Sequence, residues 1–134
     1  MSQETVEVVR RIYDAARRRD AEAVYGLYDP EVELDNSRLG FVEGGVFQGH
    51  DGLRNFFRNW HDAWEGIDYD FDELIDAGQG RVLAVVTRRG RGRLSGADVR
   101  WRLALVWTVH GGKVTRLVWF PSPEEAFETV GLSE

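Results

Sequence analysis

Side chains that could do chemistry fall into three groups, beginning with three histidines, His50, His61 and His110. Histidine is the side chain whose unperturbed pKa suits acid and base work near neutrality. Their settings favour surface or capping roles: His50 precedes an apolar-periodic segment beside a cap position, His61 lies on its polar stripe, and His110 stands at a Gly-rich turn. No spacing suggests a metal cluster, and with no cysteine a metal site would need histidine and carboxylate ligands alone. No metal and no cofactor is expected. The second group is an arginine patch: Arg88, Arg89, Arg91 and Arg93, then Arg100 and Arg102. A hairpin turning at Gly96-Ala97 sets Arg93 against Arg100 and Arg91 against Arg102, and facing like charges need anions nearby. Asp68, Asp70 and Asp72 supply them in one reading, making the patch a solvated or dimer-forming face. In the other, Arg88 or Arg102 points inward and holds an anionic substrate group. The third group is aromatic. Tyr13, Trp60, Trp64 and Trp119, with Tyr28 next, are expected to wall a small-molecule pocket while also packing the core.

These residues must be positioned by elements whose periodicity is readable. Val6, Val9, Tyr13 and Ala16 recur at helical spacing and predict an amphipathic helix from Thr5 to Arg19. Asp20 caps a second, shorter helix through Tyr28, with Val24, Leu27 and Tyr28 inward, and Asp29-Pro30 ends it. Val32 to Asp35 reads as a short strand. The loop after it carries Gly40, Gly44, Gly45 and Gly49 with Phe41, Val46 and Phe47, and could edge a pocket. Leu53, Phe57, Trp60 and Trp64 fall on one face of a third helix. From Tyr69 the period becomes two, and Tyr69–Ile75, Arg81–Leu94, Val99–Val109 and Lys113–Phe120 read as strands. Ser122-Pro123-Glu124-Glu125 opens a short C-terminal helix, which Gly131 stops.

The 134 residues, 43% hydrophobic and 30% charged, suit one globular domain spanning residues 1–134 with one core. A net charge of −6 opposes binding to nucleic acid or an anionic membrane. No apolar stretch of spanning length and no signal-type segment is visible, so the default location is cytoplasmic. Lys113 is the one lysine, the other basic residues being arginine, which suggests a GC-rich bacterial source.

The helix hairpin, the stretch Leu27-Tyr28-Asp29-Pro30-Glu31-Val32-Glu33-Leu34-Asp35, the stretch Val46-Phe47-Gln48-Gly49-His50-Asp51-Gly52-Leu53 and the meander containing Trp107-Thr108-Val109-His110-Gly111-Gly112-Lys113-Val114 together resemble the SnoaL-like branch of the nuclear transport factor 2-like superfamily. The resemblance covers nearly the whole chain. It implies an α+β cone: a strongly curved antiparallel (mixed) sheet wrapped round three N-terminal helices, a short C-terminal helix, an apolar cavity, and often a homodimer through the sheet. Members include ketosteroid isomerases, polyketide cyclases, limonene epoxide hydrolases and non-catalytic binding modules.

By that resemblance Asp35, at the end of the first strand, corresponds to the carboxylate base of an isomerase, which an apolar pocket would activate by raising its pKa. Strict alternation with Val32 and Leu34 argues that it points away from their face. The isomerase's enolate donors are missing: Ile12 aligns with the tyrosine, Tyr13 being one residue away, and Ala104 with the protonated aspartate. The hydrolase network is missing too, since Val82–Thr87 and Trp101–Val109 contain no Asp or Glu. The expected function is therefore a cofactor-independent isomerase, cyclase or hydrolase acting on a small, mostly apolar carbonyl compound or epoxide through Asp35. The alternative is a non-catalytic binding or dimerisation module.

Overall fold

The computed structural model describes residues 2–40 and 45–131, without the side chains of residues 2, 3, 60, 61, 63, 66–69 and 71. Helix α1 (Ser2–Arg17) forms on the apolar repeat and buries Val8, Val9, Ile12, Tyr13 and Ala15. Helix α2 (Ala21–Gly26) is capped by Asp20, whose Oδ1 accepts the Ala23 N–H at 3.1 Å. It stops sooner than the sequence suggests, and Tyr28 is not helical but opens strand β1 (Tyr28–Asp35). Two forces release the chain: Pro30 disfavours a helical Asp29, and the carbonyl of Leu27 accepts the Val114 N–H at 2.9 Å. Pro30 has no N–H to give a ladder, and the β1 register against its parallel neighbour shifts across that stretch.

After a 3-10 turn (Ser37–Leu39) come β2 (Val46–Gln48), α3 (Gly49–Ala63), β3 (Trp64–Gly78), β4 (Arg81–Gly92), β5 (Asp98–His110), β6 (Lys113–Phe120) and α4 (Pro123–Val130). Buried Asn36 closes the loop before β2, giving its N–H to the Gly45 carbonyl at 3.1 Å and accepting the Gly45 N–H on Oδ1 at 2.8 Å. Phe41 and Gly44, expected at a pocket edge, lie outside the described residues. Gly49 has φ +70°, and a Cβ there would meet the Pro30 carbonyl at 3.2 Å, so glycine is needed where β2 turns into α3. Trp64 begins β3 and does not continue α3; the expected helical face is instead completed by Phe56, which is buried with Leu53.

The six strands form one curled mixed sheet in the order β2-β1-β6-β5-β4-β3, with β1 and β6 parallel and the other pairs antiparallel. Its pleat sorts side chains onto two faces. Val32, Leu34, Val82, Ala84, Val86, Leu103, Leu105, Trp107, Leu117 and Trp119 pack inward with α1 and α3. Leu83, Val85, Ala104, Val106, Val118 and Phe120 pack on the other face, beneath Ala126 and Val130 of α4. Helix α4 is held by Ser122, whose Oγ accepts the Glu125 N–H at 3.3 Å, and ends at left-handed Gly131.

The β4–β5 hairpin differs from the expected pairing. Arg91 faces Asp98, Arg89 faces Arg100, Arg88 faces Trp101, and Arg102 faces Thr87. Gly92 begins a wider turn, its N–H donating to the Ala97 carbonyl at 3.0 Å and its carbonyl accepting from Gly96 at 2.8 Å. This leaves Arg93 outside the ladder and brings Arg91 to 3.1 Å from Asp98.

Alternation along β1 gives a direct check. Leu34→Ala is expected to lower the unfolding free energy by about 2–5 kcal/mol, as for other fully buried leucines. Glu33→Ala, which loses a half-exposed pair with Arg116 on the opposite face, should cost under about 1 kcal/mol. Urea denaturation of the two variants measures the contrast.

Candidate functional site

The inner face carries most of the aromatic side chains singled out by type. Tyr13 of α1 meets Trp107 edge-on with ring centroids 5.8 Å apart, and Tyr28 of β1 lies 6.3 Å from the same indole. Phe56 of α3 tilts over Trp119 at 4.7 Å. Toward the β4–β5 turn, Trp64 packs edge-on against Trp101 at 4.9 Å. The start of β3 therefore puts Trp64 on the same surface a helical Trp64 was expected to reach, and Gly92, its register partner, adds no side chain there. The side chain of Trp60 lies outside the described residues.

Arg88 is the arginine of the patch that turns inward. It follows Ala84 and Val86 at two-residue intervals and stands opposite Trp101, with Nε and Nη1 buried. Its neighbours turn outward: Arg89 bonds Asp70 at 2.9 Å and Arg91 bonds Asp98 at 3.1 Å. Arg102 also turns outward, against the expectation that it might hold a ligand inside. It shares the pleat of Ala104, and its Nε lies 3.8 Å from Asp72 Oδ2, an oxygen that also accepts the Thr87 hydroxyl at 2.7 Å. Asp68's side chain is outside the described residues, but Asp70 and Asp72 serve as the expected acidic partners.

Asp35, the carboxylate expected to act as a base, lies on the side of the sheet away from the inner aromatics. It pairs in register with Val118, a residue of the α4-side cluster, so it faces away from Leu34 and the inner layer. One carboxylate oxygen accepts both the Ser37 hydroxyl, at 2.6 Å, and the Ser37 N–H, at 3.0 Å. Partial burial works to raise its pKa, but these two bonds, with Arg116 and Arg38 nearby, outweigh it and hold the group below the ordinary carboxylate value.

The two described histidines, His50 and His110, are structural or peripheral. His50 lies in the first turn of α3, and its Nε2–H donates to the Tyr28 carbonyl at 2.9 Å, tying α3 to β1. His110 is exposed at the β5–β6 turn, and the side chain of His61 is outside the described residues. Among the described residues, no three His, Asp or Glu side chains converge as metal ligands would, and no helix is long and apolar enough to cross a membrane. Two surface depressions are also formed. One of about 620 Å³ lies between the first turn of α1 and the β3–β4 and β5–β6 turns, and one of about 480 Å³ lies over Arg89, Arg91 and Arg100 on the outer face.

Residues 9–117 match the family model of the SnoaL-like domain. The chain belongs to the SnoaL-like family. A nuclear transport factor 2-like protein from Burkholderia thailandensis is 31% identical over 87% of this chain and 88% of its own, with a TM-score of 0.78. Another of unknown function from Burkholderia pseudomallei is 24% identical, covering 97% of this chain and 98% of its own at a TM-score of 0.79. TerC, co-crystallized with polyporic acid, is 24% identical, covering 96% and 98%, with a TM-score of 0.77. No curated protein sequence matches significantly.

Within this SnoaL-like domain the expected donor positions are resolved differently. Ile12 and Tyr13 are both buried in the inner layer, but Ala104 lies on the opposite face of β5 under α4. The inward residues beside it are Leu103 and Leu105, which offer no side-chain donor either. Trp101 and Trp107, whose type alone suits a cavity lining, both join this inner layer. The signal was present: Trp101, Leu103, Leu105 and Trp107 alternate with Arg100, Arg102 and Ala104, the pattern of a strand with one apolar-lined face.

The Ser37 contacts give Asp35 a measurable structural role. Asp35→Leu should lower stability at neutral pH by about 1 kcal/mol for the lost acceptor. Because the folded-state pKa is depressed, that contribution is present above the unfolded carboxylate pKa and disappears as pH falls through the lower folded value. Unfolding midpoints of the two proteins should differ at pH 7 and converge under strongly acidic conditions.

Proposed function

We propose that this SnoaL-like domain binds a small, mostly apolar molecule bearing an anionic group, with its body against the inner-face aromatics and its charge against Arg88. The observation that carries the reading is the inward turn of Arg88, with buried Nε and Nη1 beside the Trp64–Trp101 pair. A guanidinium is expensive to desolvate, and its planar donors suit carboxylate-like groups. The outward Arg89, Arg91 and Arg102 lie on the other face of the sheet, beside carboxylates of this chain. TerC's co-crystallization with polyporic acid, in a chain aligned over nearly its full length, supports small-molecule binding by this architecture. Chemistry through Asp35 is not favoured, because its carboxylate faces the other side of the sheet and its pKa is lowered. Binding without acid–base turnover at Asp35 is the reading that follows.

A second reading concerns the outer face of β3–β5, where we place the expected homodimer contact. Arg100 stands directly opposite Arg89, which bonds Asp70 of its own chain, and an acidic residue of a second copy would give Arg100 a carboxylate in the same way. Sedimentation should then detect a dimer that dissociates as salt is raised or when Arg100 is replaced by glutamate. A salt-independent monomer would rule this contact out.

The binding proposal has a matched pair of probes. The dye 8-anilinonaphthalene-1-sulfonate carries an anion, and N-phenyl-1-naphthylamine has the same aromatic body without it. Both should bind saturably to the folded protein. Arg88→Gln should weaken the sulfonate about tenfold, the scale of one lost charge-assisted hydrogen bond, and leave the neutral dye unchanged. Arg102→Gln should change neither. Equal loss of both dyes in Arg88→Gln, or none, would sink the role assigned to Arg88.

A further inference from the structure

Two buried polar groups remain outside this account. The indole nitrogens of Trp107 and Trp119 are buried and have no hydrogen-bond partner among the described residues, and each side chain is 3% exposed. Buried donors are nearly always satisfied, so an orphan needs an explanation, and two in one layer point to a common one. Both indoles belong to the inner face. Trp107 is paired with Leu117 and Trp119 with Leu105, so the two are diagonal neighbours on adjacent strands, about 7–8 Å apart at the backbone. The side chains packed on them are Tyr13 and Tyr28 at Trp107 and Phe56 at Trp119, flat aromatic surfaces from α1, β1 and α3.

We infer that the indole N–H groups of Trp107 and Trp119 are hydrogen-bond donors to the ligand of the inner face, which therefore carries carbonyl-type acceptor oxygens on a flat apolar body. This rests on the binding proposal above and adds the acceptor chemistry to it. Trp119 lies level with Leu105, four residues along β5 from the Trp101 level where Arg88 stands, or about 13 Å of strand. A ligand using both ends is thus elongated, with its anion toward the β4–β5 turn and its carbonyl deeper. Among the described residues neither indole N–H meets an acceptor, which makes the site selective. A ketone gains bonds that a hydrocarbon of equal shape cannot make, and unsatisfied donors discriminate strongly against ligands lacking the acceptor.

The test uses 9-fluorenone and fluorene, which share a shape and differ by the carbonyl. Trp107→Phe with Trp119→Phe should shrink the preference for fluorenone over fluorene about tenfold, while fluorene affinity serves as the control for altered packing. In the natural protein the carbonyl stretching band of bound fluorenone should move to lower frequency, and the shift should vanish in the double variant. A preference and a band position that survive both substitutions overturn the inference, as does an N–H satisfied by the Tyr13 ring, which would leave the band unmoved. If neither compound binds while the sulfonate dye still does, the donors are not reachable and the inference fails alone. If the dye fails too, the binding proposal falls first.

Discussion

The pleat of the β4–β5–β6 core is the constraint on which the rest depends. Val82, Leu83, Ala84 and Val85 are all fully buried, alternate members serving the helix-lined face and the α4 face. A strand buried on both sides cannot slip by one residue without exchanging two differently shaped surfaces. Everything continuing along these strands inherits the same assignment. Arg88 goes inward because Val86 and Ala84 do, and Arg89 and Arg91 go outward because Val85 and Leu83 do.

That inheritance gives identical side chains different physics. The outward arginines sit beside Asp70, Asp72 and Asp98 in partly exposed pairs that solvent screens, and each contributes little to stability. They keep a sheet face wetted and charged. The inward arginine is on a surface of indoles and aliphatic chains, where a charge is costly and any anion reaching it would be held in a low dielectric. The indole N–H groups of Trp107 and Trp119, without a partner among the described residues, are likewise polar atoms in a layer where packing alone would favour hydrocarbon.

A SnoaL-like fold by itself names no activity, since one scaffold hosts unrelated functions. The position of Asp35 illustrates how narrowly function can turn on backbone geometry. The residue is a carboxylate at the end of the first strand, as the family resemblance implies, yet the pleat sends it to the α4 side. There Ser37 uses it to build the 3-10 turn that follows, which Asn36 and Gly45 close from behind. Tyr13, Tyr28 and Trp119 are buried in the inner layer, and Trp64 packs against it beside Trp101.

Local chemistry was legible in the residues themselves. The amphipathic repeat of α1, the caps at Asp20 and Ser122, the stop at Gly131 and the period-two strands follow from interactions within a few residues of one another, and the α+β cone is what the family resemblance implies. The tertiary structure fixed the side of the sheet that alternation suggested for Asp35, and it alone decided the side for Arg102, the element to which Trp64 belongs, and the register that sets Arg91 against Asp98. Each depends on a partner distant in sequence or on the width of a turn: Val118 beside Asp35, Trp101 beside Trp64, and the Gly92–Ala97 bond that widens the hairpin. Periodicity states that alternate residues face opposite ways, but only the docked helices say which way is in.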